Sequence, residues 1–227
     1  MVVDKDHCQL SEAKKFLRKS DKTMAALIRE VGPTAVRSEA HMSIFQSLVR
    51  AIAYQMISTK AASAIHGRLE AACQSDVRPD KIIKLGDERL RDLGFSRAKV
   101  ASLIDLSDKF GSGEIPDDET LETLTDKELV RILTTVRGIG AWSVEMLMIF
   151  NLGRTDVFPA SDLGVRKGYM FAYNLDEMPE VKEFLALSLA WQPYRTVAAW
   201  YLWRATDSVD WEQVLSLIHI SEPTRPY

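Results

Sequence analysis

An all-α protein is predicted for this chain by three features. Apolar residues recur at helical spacing from end to end, strand-like alternation is scarce, and glycine, proline or Ser/Thr caps punctuate the periodic segments. With 227 residues, 46% of them hydrophobic, there is enough apolar material for one sizeable core or two small lobes. No run approaches the ~18 apolar residues of a membrane span, and Met1–Leu10 is charged rather than signal-like. An intracellular location and no membrane partner are therefore expected.

Ser11 to Val31 reads as one long or two short amphipathic helices closed by Gly32-Pro33. From Ser43 to Ser58, SIFQSLVRAIAYQMIS places Phe45, Leu48, Val49 and Ile52 on one buried stripe, and Lys60 to Ala72 follows after a Ser/Thr cap. Pro79–Leu85, Asp87–Leu93 and Ser96–Phe110 are short helical patterns separated at Gly86 and Gly94; they read as scaffold, with Arg97 and Lys99 near a helix start on a solvated face, a contact with backbone phosphate being the alternative. The Gly111-Ser112-Gly113 loop and Pro116–Glu119 lead to a helix beginning near Asp126. There Thr125 and Glu128 have capping-box spacing, and Leu129, Ile132, Leu133 and Val136 share one face. Gly138-Ile139-Gly140 ends that helix and another runs from Ala141 to about Phe150. Beyond Lys167 come Gly168–Tyr173, Pro179–Ala190 with proline in its first turn, and Thr196–Arg204 after Trp191-Gln192-Pro193-Tyr194-Arg195. Leu215–Tyr227, LSLIHISEPTRPY, resembles the translation of a sequencing-adapter read-through and is left out of the fold, His219 included.

Cys8 and Cys73 are too few for a disulfide framework or a four-cysteine metal or iron–sulfur site, so both are expected as free thiols. The net charge of −3 and pI near 5.9 count against a nucleic-acid binder. Locally the balance reverses: between Arg131 and Met170 stand Arg131, Arg137, Arg154, Arg166 and Lys167 against Glu145, Asp156 and Asp162. A backbone that holds phosphate through amides also needs less formal charge.

The Gly138-Ile139-Gly140 turn is the most informative local feature. Two glycines allow positive φ and leave N–H groups uncovered, and the helix that follows directs orphan amides and the positive end of its dipole out of the turn. That is a site for an anion such as a DNA phosphate. A plain helix-to-helix turn is the alternative reading of a lone Gly-x-Gly.

The full stretch Leu133–Lys167, LTTVRGIGAWSVEMLMIFNLGRTDVFPASDLGVRK, resembles the helix-hairpin-helix (HhH-GPD) DNA glycosylase superfamily and, within it, the 3-methyladenine-DNA glycosylase II branch. In that family an LPGIGxWTA hairpin precedes an aspartate in a DVFPxxDLGxxK loop, and the resemblance extends over Ile44–Arg204. It implies two helical lobes, residues 44–155 ending in the hairpin and residues 1–43 plus 156–214, with the active site in the cleft between them. It implies Asp162 as the catalytic carboxylate, Trp142, Trp203 and Met146 around the extruded base, and Met56 with Gln55 as the wedge entering the stack. Gly138, Ile139 and Gly140 would hold phosphate. Carbonyls of Thr134, Val136 and Gly138 would hold a monovalent K+ or Na+, with no other cofactor required and no iron–sulfur cluster. The implied partner is double-stranded DNA containing alkylated bases, met by a monomer in the nucleoid or the nucleus.

Other readings stay open beside these. A methionine filling a core gap is the alternative for Met56, and core packing is favoured for Trp200. Asp156, a second carboxylate in the loop, is expected to shape it. Two departures stand out: Val136-Arg137 replaces a frequent Leu-Pro pair, which would loosen the turn, and Met146 stands where some members place tyrosine. The N-terminal β domain of the bacterial enzyme has no counterpart, which implies a compact form.

The chemistry follows from these residue types. A stacked base must be flipped out before its glycosidic bond can be reached. Cleavage builds positive charge on the sugar, which a nearby carboxylate stabilises. A single carboxylate suffices if the leaving base is already cationic, as N3-methyladenine and N7-methylguanine are, and electron-rich rings attract such a base. Position 142 carries tryptophan where strand-cutting relatives carry a Schiff-base lysine, so the expected product is an abasic site. The rivals are a non-catalytic helix-hairpin-helix DNA-binding or damage-sensing module and a bifunctional glycosylase–lyase.

Overall fold

The computed structural model describes residues 5–33 and 42–206. The adapter-like segment 215–227 with His219, and the side chain of Cys8, lie outside the described residues. Among those described there are twelve α-helices and no strand, so the protein is all-α. No helix among them is long and apolar enough to cross a membrane.

In chain order, α1 (Lys5–Ser20) and α2 (Lys22–Val31) are two helices rather than one. Asp21 separates them, and its carboxylate caps α2 by accepting the Met24 N–H at 2.9 Å. Next, α3 (Ile44–Tyr54) buries the expected stripe Phe45, Leu48, Val49 and Ile52, and Ser43 with Gln46 forms a full capping box at its start. It stops at Tyr54, earlier than expected, because Gln55 is extended and Met56 takes φ +57°. Ser58 caps α4 (Thr59–Ala72). In α5 (Pro79–Asp92) the left-handed φ of +68° at Gly86 kinks the helix where the sequence places a break. α6 (Arg97–Ser112) closes on Gly113 in αL conformation. The short α7 (Asp118–Thr123) was expected to be loop; six residues are too few for periodicity to register.

α8 (Asp126–Leu133) carries both bonds of the Thr125–Glu128 capping box, and α9 (Ala141–Phe150) follows the glycine turn at the expected bounds. α10 (Leu163–Ala172), α11 (Val181–Leu187) and α12 (Arg195–Ala205) complete the chain, with a 3-10 turn at Ser188–Trp191. Pro179 precedes the Glu180 cap of α11 instead of occupying its first turn.

The chain divides into two compact units: residues up to Arg37 together with those from Arg154 onward, and Ser38–Gly153. The first packs Leu17, Leu27 and Ile28 of the early helices against Phe158, Phe184, Trp191 and Tyr201. Its polar centre is Asp21, whose second oxygen accepts the Tyr173 hydroxyl and the Trp191 indole N–H. Trp200 is buried, as expected. Within this unit α10 meets α12 at very short range: a Cβ added at Gly168 would lie 1.8 Å from the Leu202 carbonyl oxygen. In the second unit Leu129, Leu133, Val136 and Ile139 are buried beneath the turn they flank, so the hairpin is anchored by its apolar residues.

Candidate active site

The loop leading to Asp162 is tied down along its length. Asp156 accepts Arg195 Nε on Oδ1 at 2.8 Å and a second guanidinium nitrogen on Oδ2 at 3.0 Å, a two-pronged ion pair. Asp156 thereby shapes the loop, in line with expectation. The buried Thr196 hydroxyl accepts the Val157 N–H and donates to the Arg154 carbonyl, which docks the loop on the start of α12. Val157, Phe158 and Ala160 then fill the core, and the chain emerges at Ser161 and the half-buried Asp162.

Asp162 is the N-cap of α10. Its Oδ1 accepts the Val165 N–H at 2.9 Å and, on the same oxygen, the indole N–H of Trp203 at 2.8 Å. Two donors on one oxygen fix the plane of the carboxylate, and the helix N-terminus is favourable to negative charge there. Trp203, expected only as a ring beside the base, thus also orients the acid. Gly164 lets the indole approach, since a Cβ there would lie 3.0 Å from Trp203 Cδ1. With Gly168 it forms a Gly-x-x-x-Gly face in α10 onto which α12 settles, a spacing visible in the sequence though its purpose was missed. Arg166 donates both Nε and a terminal nitrogen to the Pro179 carbonyl and so serves the fold.

In the second unit, the turn after α3 and the hairpin are joined directly. Gln55 Nε2 donates to the Gly138 carbonyl at 2.9 Å. Gln55 was expected as part of the wedge, and in this structure its amide is turned onto the hairpin. Met56 stands out at 99% exposure with a left-handed backbone, so it fills no core gap. Lys99, expected on a solvated face, donates its ammonium to the Ala53 carbonyl near the end of α3, and burial holds its pKa below the ordinary lysine value.

The three hairpin residues differ in what they offer. Ile139, expected with the two glycines at the phosphate, is buried and its N–H donates to the Val136 carbonyl at 3.1 Å. Gly138 and Gly140 are exposed, and their N–H groups meet no acceptor among the described residues. The same bonds bear on the implied cation. The Val136 oxygen accepts Ile139 and the Gly138 oxygen accepts Gln55, and each keeps a second lone pair, so Thr134, Val136 and Gly138 retain the capacity to ligate the implied K+ or Na+.

Trp142, in the first turn of α9, is 45% exposed. One turn further, Met146 lines a cavity of about 230 Å³ with Arg50, Tyr54, Ser143, Phe150 and Asn151. Tyr54 brings an aromatic ring to this cavity beside the methionine, with the Arg50 guanidinium 5.2 Å from the ring centre. Nothing in the local pattern of α3 marks Tyr54 for this position.

Residues 49–193 match the family described as HhH-GPD superfamily base excision DNA repair protein. The chain belongs to that superfamily. It is 36% identical over 220 residues to DNA-3-methyladenine glycosylase 1 of Schizosaccharomyces pombe, covering 96% of this chain and 92% of the relative. Among solved structures, that yeast's 3-methyladenine DNA glycosylase Mag1 in complex with abasic DNA superposes with a TM-score of 0.78 at 36% identity, covering 88% of this chain and 98% of the other. The DNA-3-methyladenine glycosidase of Bacillus halodurans gives 0.80 at 32% identity, covering 91% and 95%.

Proposed function

We propose that this chain is a monofunctional DNA glycosylase that hydrolyses the glycosidic bond of alkylated purines, 3-methyladenine and 7-methylguanine among them, and leaves an abasic site. The observation that carries the reading is the carboxylate of Asp162, presented at the start of α10 and held there by the Val165 and Trp203 N–H groups. The bond electrons leave with the base, the sugar becomes cation-like, and water adds to C1′ while losing its proton. A unit charge about 4 Å from that cation, at an effective dielectric of ~20, is worth roughly 4 kcal/mol, on the order of a thousandfold in rate. A base that already bears positive charge departs without a general acid, and Asp156, locked to Arg195, is in no position to supply one.

Gly138 and Gly140 hold the strand by their amides, Met56 enters the stack, and Trp142, Trp203 and Met146 surround the base. Tryptophan at position 142 has no amine for a Schiff base, so the strand is left intact. A DNA substrate places the protein in the nucleoid or the nucleus, acting as a monomer.

Release of methylpurines from methylated duplex DNA tests this directly. The wild type should release them and Asp162→Asn, which keeps the cap oxygen, should release them about a thousandfold more slowly with DNA affinity retained. Equal release by both would reject Asp162. No release by a wild type that binds DNA would favour the non-catalytic module. A covalent product trapped by borohydride on abasic DNA would identify a lyase.

A further inference from the structure

Arg137 brings to the hairpin an amide N–H that a proline at this position would lack. That N–H donates to Asp105 Oδ2 at 2.7 Å, across 32 residues of chain, from the middle of α6. One turn earlier on the same helix, Ser102 packs beneath the next hairpin residue: a Cβ at Gly138, where φ is +78°, would lie 2.6 Å from its hydroxyl. The Ser102 hydroxyl is held in turn by the Ala98 carbonyl at 3.0 Å. Two residues of α6 thus meet two consecutive residues of the hairpin, while the Gln55 amide grips the Gly138 oxygen.

We propose that Asp105 is a positioning residue for the strand-holding hairpin. It does by hydrogen bond what a proline ring does covalently, fixing the backbone at position 137 and removing its N–H from competition for water. Resting on the glycosylase reading above, this makes Val136-Arg137 a second solution to building the hairpin rather than a loosened one. It also explains why an acid is tolerated beside a site meant for phosphate: its geometric contribution outweighs its charge.

The sign of the effect separates this role from simple electrostatics. Removing a carboxylate near bound phosphate should tighten DNA binding if only charge matters. The brace requires the opposite for Asp105→Ala, about tenfold weaker binding to duplex DNA carrying a stable abasic-site analogue, with release from the saturated complex unchanged within about twofold. Asp105→Asn keeps an acceptor and sheds the charge, so it should bind at least as well as wild type. In an Arg137→Pro background Asp105→Ala should cost nothing, because no N–H remains to be held. Should Arg137→Pro fail to fold, amide exchange of the peptide spanning residues 133–141 reads the same bond, and it should quicken about tenfold in Asp105→Ala but not in Asp105→Asn.

Tighter or unchanged binding by Asp105→Ala, an equal loss in both backgrounds, or unaltered exchange would overturn the proposal. A wild type that fails to release bases would instead overturn the glycosylase reading and leave the exchange result standing.

Discussion

The indole N–H of Trp203 and the backbone N–H of Val165 converge on one oxygen of Asp162, at 2.8 and 2.9 Å. The ring proposed as a wall for the base thus also supports the Asp162 carboxylate, and the two tasks can be separated by experiment. Trp203→Phe keeps a ring and deletes the donor. A hydrogen bond to a charged group contributes about 1.5–3 kcal/mol, so single-turnover base release should slow by about tenfold to a hundredfold. Affinity for the methylated duplex should change little. A rate within twofold of wild type would show that Asp162 keeps its orientation without the indole.

The approach of α12 to α10 that makes this bond depends on two glycines with different tolerances. At Gly168 an added methyl would lie 1.8 Å from the backbone oxygen of Leu202, and backbone cannot rotate away. Gly168→Ala should cost about 3 kcal/mol or more in urea denaturation, at or beyond the upper end for overpacking. At Gly164 the obstructions are the Trp203 ring at 3.0 Å and Asp162 Oδ1 at 3.1 Å, side chains that can shift. Gly164→Ala should cost less than about 1.5 kcal/mol yet slow base release about tenfold, because the indole moves off the acid. Equal destabilisation by the two substitutions would contradict this division.

These contacts also mark the limit of what the sequence discloses. Asp162 could be singled out because hairpin, DVFP loop and aspartate lie within one contiguous stretch. The capping box at Thr125, the kink at Gly86 and both bounds of α9 were legible because each is set by residues within a few positions of one another. The partners of Trp203 and Arg137 lie 41 and 32 residues away, where no periodicity reaches. The choice between wedge and core for Met56 turned on exposure, which helical spacing cannot supply for a residue outside the helix. The turn bond of Ile139 was not legible, because an amide inside a turn looks the same in sequence whether it points outward or closes the turn.

The half-buried Tyr173 and the buried Tyr201 of the first unit give the protein an alkaline limit. Burial, together with the Asp21 carboxylate and its hydrogen bond, pushes the Tyr173 hydroxyl far above the ordinary value, and burial pushes Tyr201 up to about 12. Both stay neutral in the folded state after their unfolded counterparts begin to ionise near pH 10, so the unfolded state binds fewer protons. Stability is then complete below pH ~10 and falls above it, by up to about 1.4 kcal/mol per pH unit for each tyrosine. The Tyr201 contribution should level off near pH 12, where its folded form ionises too. Urea midpoints at pH 8, 10 and 11 should be flat between the first two and drop at the third. In Tyr173→Phe the drop should be shallower. An undiminished slope in that variant would mean that Tyr173 ionises as readily folded as unfolded.

Met56 offers a test in which stability and function move in opposite directions. Its side chain is 99% exposed and its backbone sits at φ +57°, so the fold gains nothing from the side chain and bears a left-handed cost of about 1–2 kcal/mol. Glycine removes that cost while losing about 0.5–1 kcal/mol to greater freedom when unfolded. Met56→Gly should therefore be about 0.5 kcal/mol more stable than wild type in urea. As the proposed wedge it should also lose most of its ability to hold an extruded base, seen as at least tenfold slower release from duplex DNA. The deficit should shrink on substrates where the damaged base sits opposite a mismatch, because less stacking and pairing has to be undone. Alanine, which keeps the left-handed strain and loses the wedge, should show the kinetic deficit without the gain in stability. If both variants release bases at the wild-type rate, Met56 is not the group that enters the stack and the strain at this turn serves some other contact.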